Sequence, residues 1–167
     1  MSHDEDRSEG WRSFLPAGAE GDELGIDDDL APLELDEGEW RARLDEAAFD
    51  VLREEGTERA FTHELNDEKR AGLYLCAGCG LPLFTSQMKY DSGTGWPSFY
   101  DCIDGHLDTR RDFKLFVPRT EYHCARCGGH QGHVFNDGPQ PTGKRYCNNG
   151  VALDFVPAGE DLPELRS

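Results

Sequence analysis

Two Cys-x-x-Cys pairs, Cys76-Ala77-Gly78-Cys79 and Cys124-Ala125-Arg126-Cys127, constrain this chain more than any other feature. Each is followed by glycine, Gly80 in one case and Gly128-Gly129 in the other, where the backbone has to turn tightly around a bound ion. Four thiolates at about 2.3 Å complete a tetrahedral Zn2+ and leave no position for water or substrate, so a single structural ion is expected. Iron fits the same sulfur set. The 44 residues between the pairs exceed a short ribbon, so the ion is expected to pin two distant hairpins together. Paired motifs also argue against a secreted disulfide framework and for a reducing compartment.

The rest of the composition narrows the partners. A chain of 167 residues holds one ordinary domain and a tail. Its 34 acidic against 17 basic residues give a net charge of −17, which repels phosphate backbones and excludes nucleic acid as a partner. No run approaches the roughly 18 apolar residues of a membrane helix, and the opening MSHDEDRSEG lacks the basic and apolar regions of a signal peptide. The expectation is a soluble, cytoplasmic monomer with no membrane partner. Residues 1–36 carry twelve acidic and two basic side chains and little periodic apolar surface, which predicts a disordered acidic tail ahead of a domain over 37–167. The rival reading docks the interspersed Trp11, Phe14, Leu15, Leu24, Ile26, Leu30 and Leu35 on that domain.

From Glu39 to Glu55, Trp40, Leu44, Ala47, Ala48, Val51 and Leu52 recur at helical spacing. Asp36 with Glu39 predicts a capping box, and Gly56 a left-handed C-terminal cap. Residues 58–70 read as loop with a short helix. Beyond Ala71, short runs over Leu73–Cys76, Leu115–Pro118, His133–Asn136 and Val151–Val156 between Gly, Pro and Asp turns predict antiparallel β structure. The fold class is therefore mainly β with an N-terminal helix. Without a βαβ repeat or a glycine-rich phosphate loop, nucleotide-binding α/β folds drop out.

Four ligands subtracted from six cysteines leave Cys102 and Cys147. Cys147 sits in Arg145-Tyr146-Cys147-Asn148-Asn149, and a strand there puts residues 145, 147 and 149 on one face. A fixed cation at Arg145 predicts a lowered Cys147 pKa and a nucleophilic sulfur, against the plainer reading of a buried small side chain. His130-Gln131-Gly132-His133 offers two imidazoles as proton donors or acceptors. In Gly93-Thr94-Gly95-Trp96-Pro97-Ser98-Phe99, Trp96 suits the wall of a small apolar pocket, or the core.

Taken together, Cys76-x2-Cys79, Lys89 to Phe99, Cys124-x2-Cys127, Gly129-His130-Gln131-Gly132-His133-Val134-Phe135 and Arg145 to Asn149 closely resemble the peptide methionine sulfoxide reductases of the B type, over about residues 38–156. The resemblance implies two antiparallel sheets rolled around the active site, with zinc at the far side. It also implies that Cys147 attacks the sulfoxide sulfur, surrounded by His130, His133, Arg145 and Asn149, while Trp96, with Phe135, contacts the substrate. The implied reaction reduces the R epimer of methionine sulfoxide in oxidised proteins and peptides, through a cysteine sulfenic acid recycled by thioredoxin or a similar dithiol.

Three positions depart from the family pattern. Thr94 stands where many relatives carry the resolving cysteine, which leaves Cys102 as the remaining candidate for that role, or else an external thiol acting directly. Gln131 replaces a typically apolar residue, and Gly150 a common serine. Two other functions compete: a zinc-ribbon-like protein-binding module, and a reductase of another oxidised sulfur compound such as free methionine sulfoxide. Finally, only four of the seventeen basic residues are Lys, and so acidic a surface suits high salt, where carboxylates repel one another less. The thermal midpoint should rise between low and molar NaCl; a flat or falling midpoint removes that reading of habitat.

Overall fold

The computed structural model describes residues 14, 33–103, 105–112, 119–160 and 162. Two short helices open the described domain, α1 (Glu37–Arg43) and α2 (Glu46–Glu54). The capping box forms as the sequence predicts: the Glu39 N–H donates to Asp36 Oδ1 at 2.8 Å, and the Asp36 N–H reaches back toward Glu39. The single helix predicted over 39–55 is interrupted. Leu44 is extended, and the Asp45 side chain caps a new helix by accepting the Ala48 N–H at 2.8 Å. A competent cap in mid-pattern ends one helix and starts the next. The break lets Trp40 of α1 turn against the first Cys-x-x-Cys turn while Leu52 of α2 packs over Gly129. The left-handed cap falls on Glu55 (φ 60), one residue before the predicted Gly56, whose N–H donates to the Asp50 carbonyl.

Among the described residues nine strands follow: β1 (Gly72–Cys76), β2 (Pro82–Thr85), β3 (Lys89–Tyr90), β4 (Ser98–Phe99), β5 (Leu107–Asp112), β6 (Arg119–Cys124), β7 (His130–Phe135), β8 (Arg145–Asn148) and β9 (Leu153–Pro157). The short helix expected in the 58–70 loop is a 3₁₀ turn at Glu64–Asp67. Two antiparallel sheets result, in the orders β2-β1-β9 and β3-β4-β8-β7-β6-β5. Two predicted strands shift in place. The run at 133–136 belongs to a strand that begins at His130, and the one at 151–156 begins at Leu153, after a 3₁₀ turn at Gly150–Ala152. The predicted strand Leu115–Pro118 lies outside the described residues, as does most of the tail expected over 1–36. Among the described residues of that stretch, Phe14 is buried and its carbonyl accepts the Gly159 N–H, while Leu33 and Leu35 pack against the core.

An aromatic stack joins the two sheets. Phe84 of β2 lies parallel to Phe99 of β4 with centroids 4.0 Å apart. Tyr74 meets Phe99 edge-on at 5.0 Å, and Tyr146 meets both Phe84 and Tyr122. Tyr74, Phe84, Phe99 and Tyr122 are fully buried, so this layer supplies most of the aromatic burial that holds the sheets face to face. The residues of β8 that point into it are Tyr146 and Asn148; Arg145 and Cys147 alternate to the other face.

The strand that decides the layout is β7. It pairs with β6 as Tyr122↔Gly132 and then His123↔His130, so Gln131 is an extra residue, a β-bulge. In a regular strand, side chains three apart point to opposite faces. The bulge resets the alternation and brings His130 and His133 to the same face, their rings 5.5 Å apart. One residue on, a side chain at Gly132 is excluded: its Cβ would stand 2.0 Å from the Cys147 carbonyl oxygen of β8. Gly132→Ala should therefore cost about 3 kcal/mol of unfolding free energy or more, read by urea titration. A variant of unchanged midpoint would mean that the two backbones are free to separate.

Candidate active site and metal centre

The four cysteines of the paired motifs come together. Cys76 and Cys79 flank the β1–β2 turn and Cys124 and Cys127 the β6–β7 turn, with Cys76 Sγ 3.6 Å from Cys127 Sγ and Cys79 Sγ 3.6 Å from Cys124 Sγ. A tetrahedral ion with sulfur at about 2.3 Å places its ligands roughly 3.8 Å apart, so the four buried sulfurs fit a metal ion as they stand. Hydrogen bonding among the crowded sulfurs pushes the Cys76 and Cys124 thiols up and the Cys79 and Cys127 thiols down. A cation is the natural relief. The Arg53 guanidinium of α2 donates to the Cys127 carbonyl at 2.9 Å and closes the helix over this cage.

Cys147 lies half-buried on the other face of β8, in a cavity of about 300 Å³. The register sets His133 of β7 directly opposite it, and Ser98 of β4 on its other side. Trp96, Phe135, Arg145 and Asn149 line the same cavity, joined by Thr94, Thr57 and Arg119. Most of the candidate residues thus converge, but their hydrogen bonds divide the labour in ways the sequence conceals. Arg145 forms a two-pronged ion pair with Asp137, at 2.9 and 3.1 Å, and stacks over the Phe135 ring at 4.3 Å. Asn149 donates to the Gln131 carbonyl and accepts the Glu58 N–H, both at 2.9 Å. Trp96 Nε1 donates to the Glu58 carbonyl, and the Glu58 carboxylate accepts the Val151 N–H. The 55–61 loop is thereby fastened over the cavity.

One expectation is corrected. Arg145 does not bring the Cys147 thiol below its ordinary range: burial pushes it up, outweighing the pull of Arg145 and of a hydrogen bond from Thr94. The guanidinium is shared with Asp137, and raises the thiolate fraction less than a dedicated partner would. Cys102, offered as a resolving thiol on condition that its loop moves, does not line the cavity. It lies beyond β4 with its Sγ 3.7 Å from the Tyr146 hydroxyl, and Tyr146 points to the face opposite Cys147.

The two histidines are unlike. His133 lines the cavity. His130 stands behind it, 1% exposed, with no hydrogen-bond partner on either ring nitrogen among the described residues. Burial first, then the neighbouring His123 and His133, lowers its pKa to about 4, so at neutral pH it carries no charge. Asp137, Glu58 and Thr57 escaped the sequence reading because their context is polar loop, with no spacing to mark them. Gln131, which departs from the family pattern, links the two centres: its amide donates to Cys76 Sγ at 3.4 Å and accepts from Asn148 Nδ2 at 3.1 Å.

The SelR domain family matches residues 44–157. The chain is similar to a "Peptide methionine sulfoxide reductase MsrB" of Pseudomonas putida (strain W619), 57% identical over 120 residues, spanning 71% of this chain and 90% of that one. A protein of the same description from Methanosarcina barkeri (strain Fusaro / DSM 804) is 51% identical over 124 residues, with 74% and 87% covered.

The buried imidazole has a consequence for stability. The unfolded chain takes up a proton on His130 near pH 6.5 and the folded chain only near 4, so in that window the unfolded state binds more protons. Stability should fall as pH drops from 6.5 to 4, by on the order of 3 kcal/mol from this group. Urea titrations of the protein and of His130→Asn across that range should diverge by this amount. Parallel curves would mean that His130 is charged, or exposed, in the folded state.

Proposed function

The chain belongs to the SelR domain family, that of the B-type peptide methionine sulfoxide reductases, and from that premise we propose how its own residues carry the reaction. It reduces methionine sulfoxide of R configuration in peptides to methionine. The observation that carries the reading is the cross-strand pair of Cys147 and His133 in a cavity walled by Trp96 and Phe135. The substrate's methyl group lies against Trp96, and its oxygen faces His133. A proton from His133 on that oxygen makes the sulfur electrophilic, and the Cys147 sulfur attacks it. Oxygen then passes to Cys147. Methionine is reduced by two electrons and the cysteine oxidised by two, to a sulfenic acid; the thiol proton becomes the sulfenic proton, and His133 recovers its own. Since the resting thiol is protonated, Arg145 and Thr94 act by stabilising charge on sulfur as the proton leaves.

An external dithiol of the thioredoxin kind closes the cycle. Its first thiolate attacks the Cys147 sulfur and hydroxide leaves as water once protonated; its second thiol displaces Cys147 from the mixed disulfide. Cys102 takes no part in this scheme, because its hydrogen bond to Tyr146 and its position on the far face both speak against attack on Cys147. The cage is read as holding one structural Zn2+ on Cys76, Cys79, Cys124 and Cys127, which supplies a rigid cross-link and no chemistry at the substrate. A monomeric reductase domain over 37–167, working in a reducing compartment such as the cytoplasm, completes the reading.

One assay tests the scheme. With R and S sulfoxide peptides and a thioredoxin system, Cys147→Ser should lose R turnover by at least about a thousandfold, as expected for removal of a nucleophile, with zinc content intact. Cys102→Ser should keep its turnover. Activity in the first variant refutes the nucleophile; loss in the second restores Cys102 as the resolving thiol.

A further inference from the structure

On the same face of β6 and β7 as the cavity, but behind it, Glu121, His123 and His130 converge outside the reaction scheme. One ligand atom from each lies within 4.8 Å of the others. Glu121 is 2% exposed and His130 1%. His123 Nδ1 faces the Gly128 carbonyl at 3.1 Å, which leaves Nε2 turned to Glu121, 2.9 Å away. His130 Nδ1 stands 4.0 Å from the other Glu121 oxygen, too far for a hydrogen bond and close enough for an ion between them. Buried imidazole nitrogens without partners are rare, and here both belong to a ring aimed at a buried carboxylate. His123 also lines a second cavity of about 460 Å³, which gives an ion a way in from solvent.

We propose that Glu121, His123 and His130 form a second, accessory metal site for a divalent transition ion, distinct from the four-cysteine cage. Two imidazoles and a carboxylate suit Zn2+, Co2+, Ni2+ or Cu2+ over Mg2+ or Ca2+, which prefer oxygen throughout. The competitor for the site is Arg110, whose guanidinium rests on Glu121 and is also paired to Glu55. Arg110 is 59% exposed in its side chain and free to swing out when the ion enters. Bound there, the ion holds the His130 ring, 5.5 Å from that of His133, and its positive charge disfavours a proton on His133. Occupancy is therefore inhibitory. Binding stands on its own geometry; only the inhibition rests on His133 as the proton donor.

The test begins with protein carrying one Zn2+ in the cage, titrated with Co2+ by calorimetry and visible absorption. One further equivalent should bind, with ligand-field bands of nitrogen and oxygen ligation and without the thiolate charge-transfer bands of cobalt in the cage. His123→Asn, with zinc content and unfolding midpoint measured alongside, should weaken that equivalent at least about tenfold. Arg110→Ala should tighten it, because it removes the competing cation from Glu121. No second equivalent, or one that survives His123→Asn unchanged, overturns the site, as does an Arg110→Ala variant that binds more weakly. Binding without loss of turnover keeps the site and overturns only the role of His133.

Discussion

A backbone approach too close for any side chain, Gly132 against the carbonyl of Cys147, determines where the reactive groups stand. It fixes β7 on β8 in the register that sets His133 opposite Cys147, and it follows directly on the bulge at Gln131. The bulge lies just beyond Cys127 and Gly128, where the chain leaves the four-cysteine cluster. The Gln131 amide then spans Cys76 Sγ and Asn148, so the residue in excess joins the cage to the catalytic strand. The amide makes two directed contacts there, each worth roughly 1 kcal/mol net but costly to leave half made.

The electrostatics of the cavity reverse the simplest expectation. A guanidinium two residues from a cysteine suggests a standing thiolate, and the structure gives instead a thiol that burial holds up in pKa. The arginine's fork is committed to Asp137, leaving its field weakened at the sulfur. A buried thiol of this kind is protected from indiscriminate oxidation, since the thiolate is the reactive form. On the proposed scheme its activation belongs to the moment when the sulfoxide enters and the proton can move. The same burial keeps His130 neutral, which divides the histidine pair into a cavity residue and a supporting one.

The parts of the fold that the sequence made legible are those with local causes. Asp36 and Glu39 announce a helix start because a cap requires only neighbours, and the cysteine pairs announce a cage because metal geometry fixes ligand type and spacing. The broken helix was equally local: Asp45 is a good cap, but the apolar period runs through it and masks the interruption. What stayed hidden depends on register. Nothing in His130-Gln131-Gly132-His133 says that one residue is extra, yet without that bulge the two histidines would lie on opposite faces. Asp137 and Glu58 were hidden for a related reason, being loop residues whose partners lie in other segments of the chain.

Glu58 shows why contributions to this site resist assignment by residue type. Strand alternation puts Asn149 beside the sulfur, and it does line the cavity, but its amide is engaged on the Glu58 N–H and the Gln131 carbonyl. Trp96 was expected as an apolar wall, and its indole N–H grips the Glu58 carbonyl. Both side chains therefore do two things at once: they line the cavity and they hold the 55–61 loop beside it. On the proposed scheme, a loss of turnover on truncating either one sums a contact with the substrate and a displacement of that loop. The contact acts on substrate and transition state to different degrees, while the displacement changes how much water reaches the sulfur, so the two separate in kcat and KM and not in activity alone. The chemistry of the cavity is thus inseparable from the hydrogen bonds that close it, and those bonds are made by a loop whose sequence carries no sign of its importance.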